Sequence, residues 1–111
     1  MPFSKKIALT LRQKLTNKIT DFPNVEIKPS RYKDDIAFYI GRHEIAHFEG
    51  ENSIDIRLGK KHIANLNTDD LMFRKRKSPS DWVQVQCKKS VDVTFVLGLV
   101  RKACEVTRES L

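Results

Sequence analysis

The stretch 36–58, IAFYIGRHEIAHFEGENSIDIRL, decides the fold. Ile36, Phe38 and Ile40 alternate with Ala37 and Tyr39, and Ile54, Ile56 and Leu58 alternate with Asp55 and Arg57. A period of two predicts half-buried strands. Between these runs, Gly41-Arg42 and Gly50-Glu51 are turn signals that bound a further strand over 43–49. With a two-residue hairpin loop at each turn, Ile40 lies opposite His43, Tyr39 opposite Glu44 and Phe38 opposite Ile45. The second turn then sets Glu44 against Arg57, Ile45 against Ile56, Ala46 against Asp55 and His47 against Ile54. The two registers agree. They place Ile36, Phe38, Ile40, Ile45, Ile54, Ile56 and Leu58 on a core side with His47 among them, and Tyr39, Glu44, Asp55 and Arg57 on an open side.

Working outward, Val25 and Ile27 alternate with Glu26 and Lys28 between Pro23 and Pro29, and Val83, Val85 and Cys87 alternate with Gln84 and Gln86. Turning the second set inward brings Trp82, Gln84 and Gln86 to the open face. Helical spacing appears at both ends. Ala8, Leu11, Leu15 and Ile19 predict an amphipathic helix over 5–20 capped by Ser4. Val93, Val96, Leu97, Val100, Ala103 and Cys104 predict another over 91–108, capped by Ser90, with Asp92 in its positive first turn and Gly98 leaving room for close packing. A short helix fits around residues 62–66, before the Asn67-Thr68-Asp69-Asp70 break. The prediction is an α+β fold: a four- or five-stranded, mostly antiparallel sheet with the N- and C-terminal helices packed on one face.

The 111 residues fit a single domain spanning 1–111. With 40% hydrophobic and 32% charged residues the composition is that of a soluble globule, not a disordered chain. No apolar run approaches the roughly 20 residues that span a bilayer. The opening MPFSKKIALTLRQK alternates charge with apolar residues instead of forming a signal-peptide core. The expectation is a cytoplasmic protein without a membrane partner. Cys87 and Cys104 lack C-x-x-C spacing and read as small core residues.

His43-Glu44-Ile45-Ala46-His47 matches the H-E-x-x-H zinc-protease motif, which needs both histidines on one helical turn. Here the flanks alternate with period two, and on a strand the histidines would lie about 13 Å apart at roughly 3.3 Å per residue, too far to share an ion. His47-Phe48-Glu49 contains the H-x-E of zinc deaminases, but no P-C-x-x-C follows.

The open face has two readings. In the plain one, Glu44 and Arg57 form a cross-strand ion pair and the amides are solvated. In the functional one, Tyr39 and Trp82 wall a site for a small planar ligand, with Glu44, Asp55, Arg57 and Gln84 as convergent polar groups. Glu44 is then the general base and Arg57 its charge partner. His47 takes part only where the edge of the core opens onto the site.

The run Ile40-Gly41-Arg42-His43-Glu44-Ile45-Ala46-His47-Phe48-Glu49-Gly50, then Ile54-Asp55-Ile56, Pro79-Ser80-Asp81-Trp82-Val83 and Val91-Asp92-Val93, resembles the small luciferase-domain family. The resemblance covers about residues 22–106. The family includes the fungal luciferases and many short prokaryotic proteins without an assigned activity. Glu44, His47, Gly50, Asp55, Ser80 and Trp82 match its pattern, whereas Glu49 stands where many members carry a second histidine and Asp81 where they carry glycine. The resemblance implies Ser80 as a further ligand-binding residue. It also implies oxygenase-type chemistry on a hydroxylated pyrone with molecular oxygen, and no cofactor, neither metal nor flavin. The alternative is a nucleic-acid-binding or protein-docking module, suggested by the net charge of +7 and the run Arg74-Lys75-Arg76-Lys77 ahead of a Ser-Pro-Ser loop.

Overall fold

The structure, a computed structural model, describes residues 10–66, 73–74 and 80–110. Among them, six strands form one antiparallel sheet: β1 (Val25–Pro29), β2 (Ile36–Ile40), β3 (His43–Phe48), β4 (Ser53–Arg57), β5 (Phe73–Arg74) and β6 (Trp82–Gln86), in the order β1-β2-β3-β4-β6-β5. Four of these follow the alternating runs of the sequence, and β3 lies between the two turn signals that bound it. The two-residue β5 has no such run and is held by its pairing with β6. Helix α1 (Leu11–Ile19) packs on α3 (Ser90–Glu109), and α3 lies across β2, β3 and β4; the short α2 (Lys60–Ala64) adjoins β6. The helices and the inner sheet face share one core, in which Leu15, Ile19, Val96 and Val100 meet Phe38, Ile45, Ile54, Ile56, Val83 and Val85. This is the expected α+β architecture.

Local chemistry sets the helix ends. Thr10 caps α1 in a reciprocal box with Gln13: Gln13 N–H donates to Thr10 Oγ1 at 3.1 Å, and Thr10 N–H donates to Gln13 Oε1 at 2.9 Å. The helix therefore starts at Leu11 rather than at residue 5, and the expected cap Ser4 lies outside the described residues. Ser90 is the first residue of α3 instead of its cap, because the Asp92 carboxylate accepts the N–H groups of Lys88 and Lys89 at 3.1 and 3.0 Å and closes the helix start. A Cβ added at Gly98 would meet nothing within 4 Å, so this glycine does not serve close packing. Both cysteines are buried free thiols, as small core residues should be. Of β1 only Val25 is partly covered; Ile27 is 42% exposed at the sheet edge, outside the strands that α3 crosses.

The register departs from the regular one in β3. Gly41 adopts φ 59°, the left-handed value that a two-residue loop opened by glycine requires, and Tyr39 pairs with Glu44 and Ile40 with His43. One residue further on, Phe38 faces Ala46 rather than Ile45, and Ala37 faces His47. The extra residue is a β-bulge at Ile45 and Ala46, which sends both side chains into the core. The second turn is also longer by one: Glu49 N–H donates to Ser53 O at 2.8 Å, so Gly50, Glu51 and Asn52 form a three-residue loop. Ala46 then pairs with Ile56, His47 with Asp55 and Phe48 with Ile54. Apolar partners still meet on the core side, but His47 leaves it for the opposite face.

Candidate functional site

The bulge assembles a buried polar cluster on the sheet face away from the helices. In a regular strand Glu44 and His47 would point to opposite sides; across the bulge they share one. His47 Nδ1 lies 2.7 Å from Glu44 Oε2, and its Nε2 lies 3.0 Å from Asp55 Oδ2 across the β3–β4 ladder. All three side chains are almost fully buried. Burial by itself would lower the His47 pKa, but the Asp55 and Glu44 carboxylates outweigh it and raise it. Each ring nitrogen of His47 is thus in hydrogen-bond contact with a buried carboxylate.

Glu44 is held from the far side as well. Arg31 N–H donates to Oε1 at 2.8 Å, the Ser30 hydroxyl reaches both oxygens at 3.1 and 3.0 Å, and the Tyr39 hydroxyl, 2.8 Å from Oε1 and from Pro29 O, shares its proton between them. Burial would raise the Glu44 pKa; the donors Arg31, Tyr39, His47 and Ser30 together hold it below the ordinary value. Tyr39 is pushed up by burial and by the Glu44 charge. The residues that reach over Glu44 form the 30–35 loop. Ser30 Oγ accepts from the N–H groups of Tyr32 and Lys33, and Asp35 ties the loop to α1 through Arg12 Nη2 at 2.6 and 2.7 Å. Arg12 in turn sits 4.5 Å over the Phe48 ring.

A cleft of about 330 Å³ opens beside this cluster, lined by Tyr32, Lys33, His47, Ser80 and Trp82. The Trp82 ring lies 5.0 Å from that of His47, and Tyr32 meets Trp82 edge-on at 5.8 Å. Ser80 Oγ accepts the Trp82 N–H at 3.1 Å and fixes the strand entry. Lys33 Nζ lies 2.6 Å from Glu49 Oε1.

Among the residues singled out in the sequence, Glu44, His47 and Asp55 come into direct contact, Tyr39 bonds to Glu44, and Ser80 and Trp82 line the cleft with His47. Gln84 is the cross-strand partner of Asp55. Three assignments change. His47 is not among the core isoleucines, because the bulge re-aims it. Tyr39 is no cleft wall: it is buried, with its ring flanked by Lys28 and Arg31, and Tyr32 stands at the cleft instead. Arg57 is not the partner of Glu44, since the one-residue shift takes it out of register; it pairs with Trp82 and lines a separate cleft of about 240 Å³ with His43, Gly59, Asp81 and Thr107. His43 and His47 lie on a strand, one exposed and one buried, so the H-E-x-x-H match lacks its helix. Of the basic run, Arg74 belongs to β5, whereas Lys75, Arg76 and Lys77 lie outside the described residues.

Sequence reasoning missed Ser30, Arg31, Tyr32 and Lys33, which belong to a polar loop without periodicity. Glu49, which directly follows β3 and reaches Lys33, was read only as a departure from the family pattern. Asp81 acts locally. Its Oδ1 accepts the Lys60 N–H at 3.1 Å and its carbonyl accepts the Gly59 N–H at 2.9 Å, which together hold the start of α2. Among the described residues no helix is long and apolar enough to cross a membrane. Comparison of the chain with protein-family models, with curated proteins and with solved structures gave no match.

Proposed function

We propose that this protein binds a small, flat, oxygen-bearing ligand in the cleft beside Tyr32 and Trp82, with Lys33 as the charged group that meets it and the His47 ring as part of the wall. The observation that carries this reading is the cleft itself: the Tyr32 and Trp82 rings stand beside the His47 ring, which two buried carboxylates fix in place. Trp82 and Tyr32 give the cleft two flat aromatic groups, and the rest of its lining, Lys33, His47 and Ser80, is polar. Glu44 does not line the cleft, so its part is to orient and charge His47 rather than to take a proton from a ligand. An anionic or phenolic oxygen is the natural partner of Lys33.

The finer reading is oxygenase-type chemistry on a pyrone-like substrate. It rests on the resemblance to the luciferase-domain family, four of whose matching residues, His47, Asp55, Ser80 and Trp82, lie at or beneath the cleft. It predicts oxygen uptake in an electrode when a hydroxylated pyrone is added.

The test of the ligand reading is a thermal-shift screen of phenolic and pyrone-like compounds on wild type, Trp82→Ala and Tyr32→Ala, followed by calorimetry on the hits. The expected result is a saturable shift in wild type that either substitution weakens at least about tenfold in Kd, a loss of roughly 1.4 kcal/mol. Hits that persist undiminished in both variants would place the ligand elsewhere and overturn the reading.

A further inference from the structure

Among the described residues, one group of side chains is arranged to hold a metal ion: His47, Glu49 and Asp55 each offer a ligand atom, and these atoms all lie within 4.8 Å of one another. We propose that they form a site for a first-row divalent cation, with Glu44 as the carboxylate that orients His47 from behind.

The distances suit one ion. Bonds of about 2.1 Å set neighbouring ligand atoms about 3.0–3.4 Å apart, so the His47–Asp55 pair already has nearly that spacing and the Glu49 carboxylate closes on it from within 4.8 Å. His47 Nε2 and Asp55 Oδ2 face each other at 3.0 Å across a proton, and the ion replaces that proton. The other ring nitrogen, Nδ1, donates to Glu44 at 2.7 Å, the carboxylate–histidine arrangement that fixes the tautomer and ring orientation of a metal-bound imidazole. Glu44 is itself fastened by Ser30, Arg31 and Tyr39, so the imidazole is pre-positioned.

A separate observation concerns the mouth of the site. A cation is already seated there: Lys33 Nζ lies 2.6 Å from Glu49 Oε1, and both side chains are partly exposed. Glu49 therefore carries its charge beside the Lys33 that lines the cleft with His47, and an ion binding there displaces the Lys33 ammonium. One imidazole and two carboxylates leave coordination positions open, as in catalytic rather than closed structural sites. The nitrogen ligand favours Mn²⁺, Fe²⁺, Co²⁺ or Zn²⁺ over Mg²⁺ and Ca²⁺, which prefer oxygen. Such an ion would present its open positions to the same cleft, in place of the metal-free chemistry that the family resemblance implies. The cation site does not depend on the organic ligand.

The experiment titrates the chelator-treated full chain with Mn²⁺, Zn²⁺ and Mg²⁺ by calorimetry, with Mn²⁺ spin resonance as an independent readout. The expected result is one Mn²⁺ or Zn²⁺ per chain, with Mg²⁺ at least about tenfold weaker. Glu49→Gln and Asp55→Asn each weaken binding about tenfold or more, and Glu44→Gln weakens it in the range of about 10- to 100-fold. Glu49 lies at the rim, so its variant keeps the buried cluster and, with its fold checked by circular dichroism, decides the matter if Asp55→Asn unfolds. His43→Gln and His62→Gln, outside the cluster, bind as wild type. No Mn²⁺ or Zn²⁺ binding at millimolar concentration, undiminished binding in Glu49→Gln, or binding lost in His43→Gln or His62→Gln would each overturn the proposal. Trp82→Ala should leave ion affinity within about twofold while weakening the organic ligand, which separates this result from the ligand screen.

Discussion

Glu44 Oε2 and His47 Nδ1 meet at 2.7 Å although two residues stand between them on one strand, and both intervening side chains, Ile45 and Ala46, point into the core. The bulge thus serves two faces at once. It supplies two apolar groups opposite Phe38 and gathers an acid and a base on the other side.

The cluster should contribute strongly to stability, because a buried charge that loses its partner is costly. Hydrogen bonds to charged groups are worth about 1.5–3 kcal/mol each, and breaking a buried pair costs about 3–5 kcal/mol. Glu44→Gln keeps the volume and one acceptor, so a loss of about 2–4 kcal/mol is expected in urea unfolding. An unchanged midpoint at unchanged m would show that the pair gives no net stability.

Asp35 predicts an acid-limb effect. The Arg12 guanidinium, aided by the Ile36 N–H, holds its carboxyl below the ordinary value. A depressed folded pKa contributes stability that is present above the unfolded value of about 3.9 and is lost as pH falls through the folded one. The wild type should therefore exceed Asp35→Asn by a constant margin above about pH 5, shrinking below about pH 4. Because the pair is partly exposed, the margin should also shrink in high salt. Unfolding curves across the acid range up to neutral pH check both, and a margin independent of pH would show that the ion pair is not its source.

Gly98 predicts a gain. It sits inside α3, exposed, with open space where a Cβ would go. Gly98→Ala should stabilise by about 0.5–1 kcal/mol, through helix propensity and a less free unfolded chain. A lowered melting temperature would reveal a packing role for this glycine.

Asp81 holds the first turn of α2 from the residue just ahead of β6. Its truncation to Ala should cost about 1 kcal/mol, the scale of a lost helix cap, and should speed hydrogen exchange at the Lys60 amide. Exchange at wild-type speed would mean that the Gly59 contact to the Asp81 carbonyl suffices alone.

The strands and helices were legible because alternation and three-to-four spacing report burial directly, as in Phe38 and Ile40 or Val96 and Val100. Gly41 was also readable, and with it the pairing of Tyr39 with Glu44. The bulge was not. Ile45 and Ala46 are both apolar, so the strand reads as regular whichever of them faces inward, and this carried His47 to the wrong side; the second turn, one residue longer than Gly50-Glu51 suggests, is what wrongly joined Arg57 to Glu44. Trp82 was placed on the correct face because β6 has no irregularity. Tyr32 and Lys33 were invisible for another reason: tertiary docking, through Ser30 and Arg31 onto Glu44, brings their loop to the cleft, and no local pattern encodes that.

The same docking has a kinetic meaning. The Arg31 amide hydrogen is at once part of the 30–35 loop and a donor to the buried Glu44 carboxylate. Its replacement by deuterium requires that bond to open, and the opening lets water reach the carboxylate. The exchange of this single amide is therefore a clock for solvent entry behind His47, readable without a ligand, an ion or any assay of activity.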